Sequence, residues 1–132
     1  MNKKENKHKG DLGEDLACSY LEKKGYTILT RNFNCFYGEI DIIAHDNNEL
    51  IFIEVKTRYQ NSYGEPIEAV NTYKKFHLYN TAKYYLYKSN LLDAPIRFDI
   101  IEINIYENED FKISHTQNVI TEEPTKIIRR KD

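Results

Sequence analysis

Two acids and a lysine stand where this chain has least reason to put charge. Asp41 interrupts the apolar run Gly38-Glu39-Ile40-Asp41-Ile42-Ile43-Ala44, and Glu54 and Lys56 interrupt the run from Leu50 to Thr57. Burying a charge is unfavourable unless it is paired, hydrogen-bonded or bound to a metal. Paired carboxylates beside a lysine are also what metal-assisted phosphodiester hydrolysis requires. The acids hold a hard cation, and the lysine orients water or offsets charge growing on a phosphate.

The segment Asp46-Asn47-Asn48-Glu49 joins the two runs. Asn-Asn at the centre of a two-residue hairpin suits the positive φ angles of a type I′ turn. That register places Asp41 opposite Glu54 and Glu39 opposite Lys56. Alternation of side chains then puts Ile40, Ile42, Ala44, Ile51, Ile53 and Val55 on one core-facing side. The other side gathers Glu39, Asp41, Glu54, Lys56 and Arg58, with Ile43 and Phe52 beyond. Like charges directly opposite in a sheet destabilise it, so an Asp–Glu pair calls for a proton or a divalent cation. Oxygen-only ligands point to Mg2+ or Mn2+. The plainer reading pairs Glu39 with Lys56 and Glu54 with Arg58 on a solvated strand face. A rival acid set, Asp99 with Asp110-Phe111-Lys112, fails on geometry. A hairpin centred on Asn108-Glu109 pairs Asp99 with Asn118 and leaves Asp110 at the tip.

The elements that must position these residues follow the order αβββαββ, an α/β sandwich with a mixed central sheet. Asp11 to Lys24 reads as a helix with Leu12, Leu16, Ala17, Tyr20 and Leu21 as its apolar stripe, and Gly25 stops it. Asp11 and Glu14 have capping-box spacing, which gives Glu14 a purely structural alternative. Tyr26 to Arg31 reads as a strand, and Asn32 to Tyr37 as a turn or bulge. After Arg58, the polar segment 59–64 suits a mobile loop at a cleft mouth. Pro66 fits the first position of a long helix in which Ile67, Val70, Phe76 or His77, Leu78, Ala82 and Leu86 recur, ending at Asn90. Its tyrosines, Tyr73, Tyr79, Tyr84, Tyr85 and Tyr87, fit packing against the sheet better than stacking on bases. Ile96 to Tyr106 alternates as a strand with a phase break near Ile101, and Phe111 to Ile120 is a weaker edge strand.

The chain has 132 residues, 40% hydrophobic and 30% charged, which fits a single domain with one core. The expected organisation is a flexible basic N-terminus over 1–9, one domain over 10–120 and a charged tail over 121–132. The N-terminus lacks an apolar signal-like region, and no run approaches the ~20 apolar residues of a membrane span. Cys18 and Cys35 lack paired spacing and read as reduced thiols, so a cytoplasmic protein is expected. The four histidines give no zinc pattern. A net charge of −2 argues against a generic nucleic-acid coat. However, Lys56, Arg58, Lys74, Lys75, Lys83 and Lys88 face only Glu65 and Glu68 within residues 56–90. A basic rim about an acidic cleft is compatible with a phosphate backbone.

With these residues in place, the chain resembles the YraN-like family of small bacterial proteins. That family is related to archaeal Holliday junction resolvases and the restriction-endonuclease-like fold. The matching stretches are Gly10-x-x-Gly13-Glu14-x-x-Ala17, Gly25-Tyr26-x-Ile28-Leu29-x-Arg31-Asn32, Gly38 to Ala44, Phe52 to Arg58, Gly64-x-Pro66-x-Glu68-Ala69-Val70 and Arg97-Phe98-Asp99. The resemblance implies a restriction-endonuclease-like sandwich and a Mg2+- or Mn2+-dependent endonuclease of the PD-(D/E)xK type. Asp41, Glu54 and, from the first helix, Glu14 would be its metal carboxylates, and Lys56 its catalytic lysine. Glu39, Arg58, Lys74 and Lys75 would support that set or contact nucleic acid. The expected partner is DNA, with branched and single-stranded forms as candidates, and a homodimer would suit symmetric cutting of two strands. Two other functions fit the same residues: a non-catalytic nucleic-acid-binding module on a nuclease fold, and a protein-interaction domain with a merely solvated carboxylate cluster.

Overall fold

The computed structural model describes residues 3–60 and 72–121. Helix α1 spans Lys3–Lys23, strands β1, β2 and β3 span Thr27–Cys35, Gly38–Asp46 and Glu49–Gln60, helix α2 spans Thr72–Lys88, and strands β4 and β5 span Ile96–Tyr106 and Phe111–Thr116. The strands form one sheet in the order β1-β2-β3-β4-β5. Only β3 and β4 run parallel. The result is the expected mixed α/β architecture, a five-stranded mixed sheet with two helices.

Each face of the sheet has its own core. Ala17, Cys18 and Leu21 of α1 bury Ile42, Ala44, Ile51, Ile53, Ile101 and Ile103. On the opposite face, Ala82 and Leu86 of α2 bury Ile40, Ile43, Leu50, Phe52 and Phe98. A sheet covered on both faces reads as nearly continuous apolar runs, which is why β2 to β4 are so rich in isoleucine. The sequence expectation of one apolar and one polar face is therefore corrected, because Ile43 and Phe52 are core residues too. Three tyrosines of α2 pack as expected, Tyr84 and Tyr85 against Phe33, Tyr85 also against Phe52, and Tyr79 against Phe98, but Tyr87 is 65% exposed.

Several boundaries differ from expectation. Helix α1 begins at Lys3, not Asp11, so Asp11 lies inside the helix and the capping-box role for Glu14 is removed. Leu12, placed in the apolar stripe, is 40% exposed. The end of α1 is as expected: Gly25 adopts φ 98° while Tyr26 N donates to Leu21 O at 3.0 Å, a Schellman closure. Asn90, at φ 58°, ends α2 with the corresponding bond from Leu91 N to Leu86 O. Strand β1 runs on to Cys35 instead of stopping at Arg31. Strand β4 pairs with β3 without interruption from Ile96 to Tyr106, so no phase break occurs at Ile101.

The β4–β5 hairpin pairs Ile105 with Phe111 and Ile103 with Ile113, one residue out of the expected register. The cause is a three-residue loop in which Glu109 takes φ 71°, a turn followed by a left-handed residue. Strand β5 ends at Thr116 because Asn118 turns the chain at φ 57° and Val119 N donates to Phe98 O. The remainder of the polar loop after Gln60, Pro66, Ile67, Val70, the Tyr73 side chain and the tail beyond Thr121 lie outside the described residues. Among the described residues, no helix is long and apolar enough to cross a membrane.

Gly13 fixes how closely α1 approaches β3. A Cβ built there would meet Thr57 Oγ1 at 1.8 Å and Thr57 Cβ at 2.9 Å. Helix propensity alone would favour alanine by about 1 kcal/mol, but such overlap with a strand costs more, typically about 1–3 kcal/mol. Gly13→Ala is therefore expected to lower the unfolding free energy in urea titration, with Thr57→Ala recovering part of the loss. A variant as stable as the parent would show that the helix is free to shift.

Candidate active site

The register computed from the Asn47-Asn48 turn holds from Asp46↔Glu49 to Ile42↔Ile53 and then stops. The turn is not type I′, since of its two central residues only Asn47 has positive φ (57°), whereas that type needs both positive. Past Ile42, β2 stays with β1 as far as Gly38↔Cys35, while β3 stays with β4 as far as Gln60↔Tyr106. The sheet forks. At the branch point Val55 N donates to Asp41 Oδ2 at 2.7 Å, so a side chain takes the place of a ladder carbonyl.

The expected Glu39–Lys56 strand pair consequently does not form. Alternation also fails at this point: Ile42 faces α1, yet Ile40 belongs to the α2 core. Across on β1, Arg31 reaches acids of α1 while Phe33 packs on tyrosines of α2. Asn32 lies between them at φ 55°, opposite Asp41 in the register. No residue is inserted at this point, since Arg31↔Ile42 and Phe33↔Ile40 keep one register; the register shift of this strand pair lies between Ile28 and Thr30.

Both helices deliver residues to the fork. From α1, Glu14 lies 3.5 Å from Arg31, which also holds Asp15 at 2.8 Å. From α2, Lys74 Nζ donates to Glu54 Oε2 in a short ion pair. Lys56 Nζ lies 3.5 Å from the same oxygen. A cleft of about 230 Å³ opens here, lined by Gly38, Glu39, Ile40, Asp41, Glu54, Lys74, His77, Leu78 and Thr81. Glu39, Asp41, Glu54 and Lys74 thus come together, with Glu14 and Lys56 adjoining. Two expected residues do not join them. Arg58 Nε donates to the buried Glu102 at 2.8 Å, rather than to Glu54, and Lys75 lies outside the lining. His77 and Thr81, joined by a bond from Thr81 Oγ1 to the His77 carbonyl at 2.7 Å, escaped sequence reasoning. Their spacing of three and seven residues from Lys74 on one helix was the available signal.

Burial raises the Asp41 carboxyl to about 6; the Val55 amide opposes the shift, and Glu14, Glu54 and Glu39 add to it. Lys74 moves the other way in charge: burial alone would lower its ammonium, but the bond to Glu54 more than compensates and raises it. The rival Asp99 is chemically spent. Arg97 donates two hydrogen bonds to it at 2.9 Å, His115 Nε2 a third at 2.7 Å and Asn118 N a fourth at 3.1 Å. Burial pushes Asp99 up, but these donors outweigh it and hold the carboxyl below its ordinary value.

The donor set at the fork suits a hard divalent cation: carboxylate oxygens only, around a buried Asp41 whose acidic neighbours add to its raised carboxyl. Among the described residues, no three His, Cys, Asp or Glu side chains are arranged to hold a metal ion. Two carboxylates completed by water and substrate oxygens is a usual arrangement for Mg2+.

A family model described as "Uncharacterised protein family UPF0102" matches residues 13–103. The chain belongs to this family. A UPF0102 protein of Clostridium acetobutylicum is 47% identical over 114 residues, covering 86% of this chain and 93% of that protein. Others from Clostridium perfringens and Clostridioides difficile are 54% and 45% identical, covering 79% and 86% of this chain and 85% and 96% of theirs. The UPF0102 match takes in Gly13, Glu14, the whole fork and α2.

The raised Asp41 makes stability depend on pH. Folded Asp41 titrates near 6 and the unfolded residue near ~3.9, so the folded state binds the extra proton between those values. Stability from this group is thus fully present below about pH 4 and is lost as pH rises through 6. The loss is on the order of 3 kcal/mol by pH 7.5. In EDTA, Asp41→Asn should match the parent near pH 4 and exceed it in denaturant titrations at pH 7.5. A difference independent of pH would show that Asp41 is not protonated in this range.

Proposed function

We propose that this UPF0102 protein is a Mg2+- or Mn2+-dependent endonuclease acting on DNA, built on a restriction-endonuclease-like sandwich. One observation carries the reading: a carboxylate fixed by a backbone amide, and raised first by burial and then by neighbouring acids, sits at a forked sheet beside Glu54, Lys56 and Lys74. A bound cation would supply Lewis acidity and an activated water. Asp41 and Glu54 would hold it, with Glu14 the third carboxylate approaching from α1. Lys56 orients the attacking water or offsets charge developing on the phosphate, and Lys74 offers a second ammonium to the same phosphate. Arg31 tempers the charge of Glu14 and Asp15, and Arg58, tied to Glu102, braces the far arm of the fork. A fold does not by itself give an activity, so the reading rests on the residues of the site.

A second reading, a binding module that does not cut, draws support from the Lys74–Glu54 ion pair, because a cation must displace it. Incubating the protein with supercoiled plasmid, a four-way junction and single-stranded DNA in Mn2+ or EDTA separates the two. The nuclease reading expects metal-dependent cutting that falls about 100-fold or more in Glu54→Ala and Lys56→Ala, the range typical for losing a transition-state contact. Binding retained in both variants without cutting in any metal would favour the module, and absence of DNA binding would remove both.

A further inference from the structure

Cys35 pairs with Gly38, so Phe36 and Tyr37 alone form the turn between β1 and β2. Turns of this kind normally carry Gly, Asn, Asp or Ser. Here Phe36 is 96% exposed and Tyr37 is 43% exposed. Among the described residues, Phe36 packs on Tyr37, edge to face at 5.6 Å, and belongs to neither core.

The tip is nonetheless held in place beside the cleft. His77 Nδ1 donates to the Tyr37 carbonyl at 3.0 Å, and both His77 and Gly38 line the cleft. Phe36 stands two residues before Gly38, a reach of at most roughly 7 Å along the chain. An anchored aromatic beside a cleft that Lys74 lines matches what unpaired nucleic acid requires: a cationic contact for the backbone and a π-face for the base.

We propose that the Phe36–Tyr37 tip is a stacking platform for an unpaired base next to the phosphate bound in the cleft. The ligand class is DNA that exposes unpaired bases at the edge of a duplex. This rests on the nucleic-acid reading of the site and specifies its substrate.

The test measures fluorescence anisotropy in Ca2+ at fixed salt, with a labelled blunt duplex and the same duplex carrying unpaired arms. The parent should prefer the forked probe, and Phe36→Ala should weaken that probe alone by roughly 5- to 150-fold, the range for losing one stacked base. Phe36→Trp should retain the preference. A base analogue quenched by stacking at the fork should brighten in the alanine variant. Equal parental affinity for both probes, or unchanged forked-probe affinity in Phe36→Ala, would overturn the platform while leaving DNA binding at the cleft intact. If neither probe binds, the nucleic-acid reading fails with it. Loss of self-association in Phe36→Ala with DNA affinity unchanged would assign the tip to a second copy of the chain and overturn the proposal.

Discussion

The hydrogen bond from Val55 N to Asp41 Oδ2 is the constraint on which the rest of the site depends. Where β2 leaves β3, the amide of Val55 loses its ladder partner, and an unsatisfied buried amide costs about 1–3 kcal/mol. The Asp41 carboxylate fills that vacancy at 2.7 Å. The bond lets β3 continue alone along β4 for several residues, so Glu54, Lys56 and Arg58 project from a strand braced on one side only. It also turns Asp41 into the gap between the strands, where residues of both helices can approach it. Gly13 completes the arrangement from below by letting α1 press on Thr57, which brings the next residue, Glu14, to the same place.

Two aspartates in this fold show how environment divides identical side chains. Asp99 and Asp41 both pay a desolvation cost, which pushes each upward. Asp99 faces a guanidinium, an imidazole and an amide, and ends below its ordinary value. Asp41 faces one amide and three acids, and ends near 6. The first is a finished structural ion cluster that ties β4 to β5 and, through Tyr26 and Glu49, to the rest of the α1 face. The second is under-compensated in a cleft, so its charged form is the one short of partners.

The elements and the hairpin register were legible because they follow from local rules. The Asn47-Asn48 turn sets the pairing down to Ile42↔Ile53, and the apolar runs set the strands. The fork was not legible. With both faces buried, Ile40, Ile42 and Ile43 give no alternation to read, so the reversal at Asp41 leaves no trace in the pattern. Its companion on β1, Asn32, belongs to the few residue types that accept positive φ, but nothing nearby distinguishes it from Asn34. The pairing of Arg58 with Glu102 spans 44 positions, and local spacing favoured Glu54 instead. Lys74 could be placed in the region by resemblance, yet only the fold reveals that it binds Glu54.

That last contact links the charge state of the cleft to what it can accept. Glu54 Oε2 serves Lys74 and, at longer range, Lys56, so the two lysines partly neutralise the acid. A cation offered alone competes with Lys74 for Glu54 and strands an ammonium. A phosphate offered alone draws Lys74 away and strands a carboxylate beside Asp41, which is already short of positive charge. On the proposed reading both arrive together: Lys74 exchanges a carboxylate for a phosphate, and the acids exchange a lysine for a divalent ion. Every buried charge then keeps a partner, and the penalty for leaving one unpaired is what would couple the two ligands.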